Sequence, residues 1–257
     1  EPYRRQRQMC IRDRSNMNVE EINVLLDRVE TVLRSQNKIE AEFLIKDLEA
    51  ALPLVKNQEA INYINNYIAQ LLILLKKDAE ALCYFEALIA QDKSYKYNYT
   101  GFLEKALCLM RLGSKSEGLS AFFDTFSLAK KNDDYEGAAK AARFISIYFY
   151  ELQDYEQALS YLNEVIHYAK KIYNKSLESE SLYRIGCIHL FNEKYYIAID
   201  CFREAEDLAV DCRDLFLIYQ AAVKRCFVYL KLEKTNQAHE IIRNLVHLNE
   251  PHKIDKP

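Results

Sequence analysis

Tryptophan is absent from the 257 residues, and glycine and proline together number nine, five Gly and four Pro. Average usage of these two residues would be roughly 12% of a chain. A sheet-built domain spends Gly, Pro and Asn-Gly on the turns between its strands, so this scarcity excludes a β-rich fold. Pro2, Pro251 and Pro257 stand at the ends, which leaves Pro53 alone in the body. Long hydrophobic runs are lacking too. The stretch from Ile68 to Leu75 is far too short to span a bilayer, and no charged segment leads into an apolar one as in a secretory leader. No membrane partner is expected.

Catalytic patterns are also missing. His167, His189, His239, His247 and His252 form no His-Glu-x2-His pair, and five scattered glycines make no phosphate loop or nucleophile elbow. No enzyme activity, metal or cofactor is expected. Cysteines 10, 83, 108, 187, 201, 212 and 226 contain no Cys-x2-Cys pair and fall inside helical patterns. Such placement suits small buried side chains in a reducing, cytoplasmic setting better than a disulfide framework. The formal charge of −3 argues against direct nucleic-acid binding, which needs a basic surface.

Half of the chain is apolar and 28% is charged, the balance of amphipathic helices joined by tight polar turns. Residues 1–14 depart from it, with five Arg, two acids and no apolar periodicity. Their string RRQRQMCIRDR resembles the conceptual translation of a sequencing adapter. Residues 1–16 are therefore set aside as a non-native or disordered leader. The remainder then carries 30 basic and 36 acidic residues, a net of −6. Met17 as the true start, or loss of a preceding effector module, are both open. The remaining bounds are an array over 17–250 and a tail over 251–257.

Six polar turns each lead into a small residue: Ala41, Ala81, Gly118, Ala158, Ala198 and Ala238, spaced by 40, 37, 40, 40 and 40. Four residues after each stands a large apolar side chain: Ile45, Phe85, Phe122, Leu162, Phe202 and Ile242. Twelve before it the residue is usually small: Val29, Ala69, Ala106, Ser146, Gly186 and Cys226. Nine before it come Val32, Leu72, Leu109, Phe149, His189 and Tyr229. Steps of three and four are helical spacing, so each unit is two amphipathic helices about one turn. Small residues let the paired backbones approach, and the large residue fills the space between neighbouring hairpins. The repeat bounds expected are about 22–60, 62–98, 99–138, 139–178, 179–218 and 219–250.

These columns resemble the tetratricopeptide repeat, most closely in Leu182-Ile185-Gly186 followed by Ala198-Phe202-Ala205. Departures are the lack of Trp and the presence of Arg28, Lys105 and Arg225 where Leu is usual. The resemblance implies an all-α fold, an α-solenoid forming a right-handed superhelix of about six hairpins. The 40-residue unit, with the leading LLDRVETVL helix and the AEFLIKDLEAALPLVKNQEAINYI that follows, is similar to the repeats of bacterial peptide-pheromone regulators of the Rap, PlcR and Rgg type. That likeness implies a short peptide or protein held in a concave groove. It makes the chain the peptide-sensing part of a cytosolic regulator whose effector domain this chain lacks. The alternatives are a constitutive scaffold and a Rap-like response-regulator phosphatase without its N-terminal bundle. The last hairpin has no following helix to cover it, and a homodimer is one way to do so.

In repeats of this type certain offsets on each first helix face the groove. They implicate Tyr63, Asn66, Gln70, Arg111, Lys140, Arg143, Tyr150, Tyr183, Phe227 and Lys231, with Glu180 and Cys187 on the same offsets. One amide can both donate to and accept from an extended peptide backbone. Arg143 with Lys140 suits a terminal carboxylate, and the aromatic residues suit apolar pockets. The charged runs Lys130–Asp134 and Glu178–Glu180 read instead as helix ends, where they complement the helix dipoles. Replacing Gly186 or Ala198 by Leu is expected to overpack the helix contact and cost about 1–3 kcal/mol, measurable as a lowered melting temperature.

Overall fold

In the computed structural model, residues 17–91 and 95–248 are described, without the side chains of 91 and 95–99. The suspect leader 1–16 and the tail 251–257 lie outside the described residues. The described residues hold twelve α-helices and one 3-10 turn, with no strand. The fold is all-α.

The chain divides into two compact units, 1–128 and 129–257. The first contains α1 (Val19–Ser35), α2 (Lys38–Ala51), the 3-10 turn Leu52–Leu54, α3 (Gln58–Leu74), α4 (Asp78–Gln91), α5 (Tyr95–Arg111) and most of α6 (Lys115–Lys131). The second contains α7 (Tyr135–Glu151), α8 (Tyr155–Lys171), α9 (Lys175–Phe191), α10 (Tyr195–Asp211), α11 (Leu215–Lys231) and α12 (Thr235–Leu248). Odd-numbered helices are the first members of hairpins and even-numbered ones the second. First helices begin at 58, 95, 135, 175 and 215, about four residues ahead of the bounds expected from the repeat columns. Polar caps mark most of these starts: the side chains of Asn57, Asp134, Asn174 and Asp214 each accept a backbone N–H of the first turn. Such a cap satisfies a donor that has no partner inside the helix.

The repeat columns coincide with the core. Ala41, Ala81, Ala158, Ala198 and Ala238 are fully buried, as are Val29, Ala69, Ala106 and Ser146 on the facing helices. Of the large residues four positions on, Ile45, Phe85, Phe122, Leu162 and Phe202 are buried, whereas Ile242 is 46% exposed. The small residues are spatially required. A Cβ built on Gly186 would lie 2.7 Å from Phe202 Cε1, inside a ring that is itself completely enclosed. At Gly118 the corresponding clash is with Met110 Sδ at 2.6 Å, a flexible side chain with its own backbone close behind.

Two of the three charged departures are paired. Arg28 reaches Glu40 at 3.0 Å and Asp47 at 3.5 Å on α2, and Arg225 places Nε and Nη2 on Glu206 at 3.1 and 2.7 Å. Ile68, Ile145 and Ile185 occupy the same column in other copies and are buried. An Arg is tolerated where Ile is usual because its long stem packs and its head is neutralised by carboxylates of neighbouring helices.

Each hairpin turn uses one left-handed residue, five before the anchor: Gln36, Lys76, Gly113, Gln153, Glu193 and Glu233, all with φ between 55° and 84°. Asp133, Tyr173 and Arg213 do the same between hairpins. Bonds such as Asp154 N–H to Phe149 C=O (3.0 Å) and Gln153 N–H to Tyr150 C=O (3.0 Å) complete the helix-ending pattern. Only Gly113 has the residue type free of the Cβ penalty. Tyr173, at φ 55° and 92% exposed, has no packing to set against that penalty. Tyr173→Gly is expected to raise stability by up to about 1 kcal/mol in urea melts, after the greater freedom of Gly in the unfolded chain is deducted.

Candidate functional site

In the second unit the first helices α7, α9 and α11 present a ladder of side chains about one repeat apart. Arg143 on α7 forks onto Glu180 of α9, with Nε to Oε2 at 3.1 Å and Nη2 to Oε1 at 2.7 Å. Arg184, one turn further along α9, donates through Nη1 to the same Oε1. Burial would raise the Glu180 carboxyl, but hydrogen bonds from the two guanidinium groups outweigh it and hold its pKa below the ordinary value. Glu180 therefore lies in the body of α9 as the partner of two arginines, correcting its reading as a helix-end charge. Glu178, in the first turn of α9 and near Lys170 at 3.7 Å, does fit that reading.

Beside this network the hydroxyls of Tyr150 and Tyr183 stand near the sulfur of Cys187. Burial pushes Tyr150 up to about 12, with Cys187 and Tyr155 adding to it, and pushes Tyr183 up as well. The Cys187 thiol is also raised, by burial first, against the opposing pull of Tyr183, Lys224, Tyr150 and Arg184. This makes Cys187 a protonated, packed side chain and a poor nucleophile. Tyr183 leans on Phe202 with ring centroids 5.7 Å apart, so this cluster rests directly on the repeat core. On α11, Phe227 is 46% exposed, and Lys231 Nζ sits 5.5 Å from its ring centroid.

The expected groove residues thus fall into separate groups. Arg143, Tyr150 and Tyr183 converge with Glu180 and Cys187. Phe227 and Lys231 pair on α11. Lys140 is not joined to Arg143: it pairs with Glu136 on its own helix at 2.7 Å. In the first unit Tyr63, Asn66 and Gln70 share α3. Tyr63 is exposed, and the buried Oδ1 of Asn66 has no hydrogen-bond partner. Gln70, with Leu33, Ile73, Thr100 and Glu104, lines a surface cavity of about 560 Å³. Arg111 is engaged by Asp78, Nε to Oδ1 at 2.6 Å. Arg184 and Lys224 were missed because they stand one position beyond the offsets used. Their signal was present: both are cations fourteen residues before an anchor.

Among the described residues no group of three or more His, Cys, Asp or Glu could hold a metal ion, the six cysteines are free, and no helix is long and apolar enough to cross a membrane.

No family model matches the sequence, and neither does any curated protein. Solved structures do. A signal-transduction ATPase with a tetratricopeptide repeat sensor from Pyrococcus horikoshii aligns with a TM-score of 0.71 and 18% identity over 98% of this chain, and the match spans only 38% of that protein. The apo form of RapI aligns at TM-score 0.64 and 12% identity, covering 87% of this chain and 75% of that one. A Rap protein complexed with Competence and Sporulation Factor aligns at 0.52 and 15%, covering 89% and 76%. The fold is that of tetratricopeptide repeat proteins and resembles the Rap type.

His189 has a buried Nδ1 without a hydrogen-bond partner, and burial, with repulsion from Lys194, lowers its pKa. The unfolded chain binds the proton at about pH 6.5, before the folded chain does. Its contribution to stability is therefore complete above that pH and is lost as pH falls below it. His189→Phe, the residue this column carries at Phe149, is expected to lose less stability than wild type between neutral and mildly acidic pH in urea melts.

Proposed function

We propose that this chain is a peptide-binding repeat module, the sensing part of a cytosolic bacterial signalling or transcriptional regulator. The observation that carries this reading is Asn66. Its buried Oδ1 is an acceptor without a donor on the first-helix face where repeat proteins of this type hold ligands. An unsatisfied buried acceptor is destabilising by about 1–3 kcal/mol, and a backbone N–H of an extended peptide would remove that penalty. The flanking side chains have the same character. Tyr63 is exposed and Gln70 lines the adjoining cavity, which offers apolar and amide contacts to a chain laid across α3. The second unit, taken by itself, offers aromatic surface at Tyr150, Tyr183 and Phe227, side chains that lose little conformational entropy on binding.

The solved Rap complex with Competence and Sporulation Factor supports the reading by analogy of fold. Ligand contacts to several first helices at once would bias their relative spacing, the kind of population shift that a linked or associated effector can read.

The test is retention of a randomised pool of short peptides by the full chain and by Asn66→Ala. Wild type is expected to retain a subset of the pool. Asn66→Ala, with unchanged helical content by circular dichroism, is expected to bind that subset about tenfold more weakly. Equal retention by both proteins would remove Asn66 from the site, and retention by neither would overturn the peptide reading.

A further inference from the structure

The hairpin of α11 and α12 leaves open a face that is covered on the hairpin before it. Tyr183, Cys187 and Leu190 of α9 form one cluster with Phe202 of α10 and with Val228, which α11 brings from the next hairpin. They are half-buried, as are Arg143, Ile147 and Tyr150 in the same columns of α7. One repeat on, these columns hold Val223, Phe227 and Leu230, and the Phe202 column holds Ile242. All four are between 46% and 55% exposed, and Val246, one turn after Ile242, is 56% exposed. Because their counterparts lie in one cluster, these side chains form one apolar strip across α11 and α12. A patch of that kind marks an interaction surface.

The charges around the strip say what fits it. Lys231 Nζ lies 5.5 Å from the Phe227 ring centroid, at the α11 edge. At the α12 edge, Arg243, His239 and Asn236 surround Ile242 in a surface cavity of about 390 Å³. Lys231 and Arg243 form no ion pair with any described residue. The two acids of this hairpin stand off the strip: Glu233 is in the turn, and Glu240 lies about 160° around α12 from Ile242. Elsewhere in this unit the covering helix supplies the acceptor. Glu180 of α9 receives Arg143 of α7, and the Tyr229 hydroxyl of α11 receives Arg203 Nη2 of α10 at 3.0 Å. Arg243 is the counterpart of Arg203 one repeat on, and no described helix lies over it.

We propose that the outer face of α11 and α12 docks an amphipathic helix of another protein, with acidic residues along both edges of its apolar stripe. That helix takes the place α11 holds against the hairpin before it. Its apolar side chains cover Val223, Phe227, Leu230 and Ile242, and its acids meet Lys231 and Arg243. A second copy of this chain matches less well, because its own α11–α12 face would set cations against cations. Residues 249–257 offer the strip a single large apolar side chain, Ile254. The docking face stands without the peptide reading and shares only Phe227 and Lys231 with the expected groove residues.

Three synthetic 17-residue peptides test it against the full chain by fluorescence anisotropy: a helix with a Leu stripe and Glu edges, the same stripe with Lys edges, and the Glu peptide scrambled. The Glu-edged helix is expected to bind about tenfold or more tightly than either of the others, with its lead over the Lys-edged helix shrinking as salt rises. Ile242→Asp combined with Val246→Asp, at two half-exposed positions, is expected to abolish binding while circular dichroism stays unchanged. Lys231→Glu combined with Arg243→Glu is expected to reverse the preference toward the Lys-edged helix, a change of sign that loss of folding does not produce. Equal binding of the Glu- and Lys-edged helices, or binding that survives the two Asp substitutions, would overturn the docking site. Sedimentation velocity is expected to show a monomer. A dimer that the two Asp substitutions dissociate would give the face to a second copy and overturn the partner helix.

Discussion

The distance between two helix backbones at one small residue governs this structure. Phe202 is completely enclosed because Gly186 has no Cβ to hold the ring away, and Ala198, one turn earlier on the same helix, is equally buried. The aromatic ring is thereby a brace between the helices of its hairpin and a support for the next first helix, where Val228 belongs to the same apolar cluster. Close packing of this sort is intolerant of even one added carbon, so the spacing of small residues and the spacing of hairpins are one constraint.

The proposed ligand-facing side depends on the same contact. Tyr183 stands on Phe202, and its hydroxyl meets Cys187, which also meets Tyr150 from the preceding first helix. Because hairpins recur at a constant step, side chains from successive first helices arrive opposite one another. Arg143 with Glu180 and Tyr150 with Cys187 are each pairs of residues 37 apart. A core built for packing thus delivers a regular array of polar and aromatic groups on one side of each hairpin. Function can be placed on that array by changing side chains that the core does not use.

The legible part of this protein was the part written as periodicity. Anchors, large residues and small partners could be named from spacing alone, and all but Ile242 are buried, because 3.6-residue periodicity and a fixed repeat length are properties of the chain itself. The turns were legible in position but not in conformation. Glu193 and Tyr173 carry no sign of φ near 57°, which the tight helix-ending bonds impose on whichever residue stands there. Arg28 and Arg225 counted as departures from the motif, and the pairing that makes them acceptable runs to Glu40, Asp47 and Glu206, invisible without the folded neighbours. The proposed site was legible only as spacing: the offsets bring up Arg143, Tyr150 and Tyr183, which cluster with Glu180 and Cys187, while Arg184, the second partner of Glu180, falls one position outside them.

By itself the sequence determined that the chain is helical, that its hairpins recur about every 40 residues, and which faces are apolar. These follow from local residue preferences and from repetition, which need no knowledge of distance in space. Tertiary structure alone decided that Ile242 stays 46% exposed while its counterparts are enclosed, that Lys140 turns to Glu136, and that Glu180 is shared by two arginines. The physical reason is that exposure and ion pairing depend on what lies opposite a side chain. That is set by the stacking of neighbouring hairpins and by which rotamer satisfies the most donors at once.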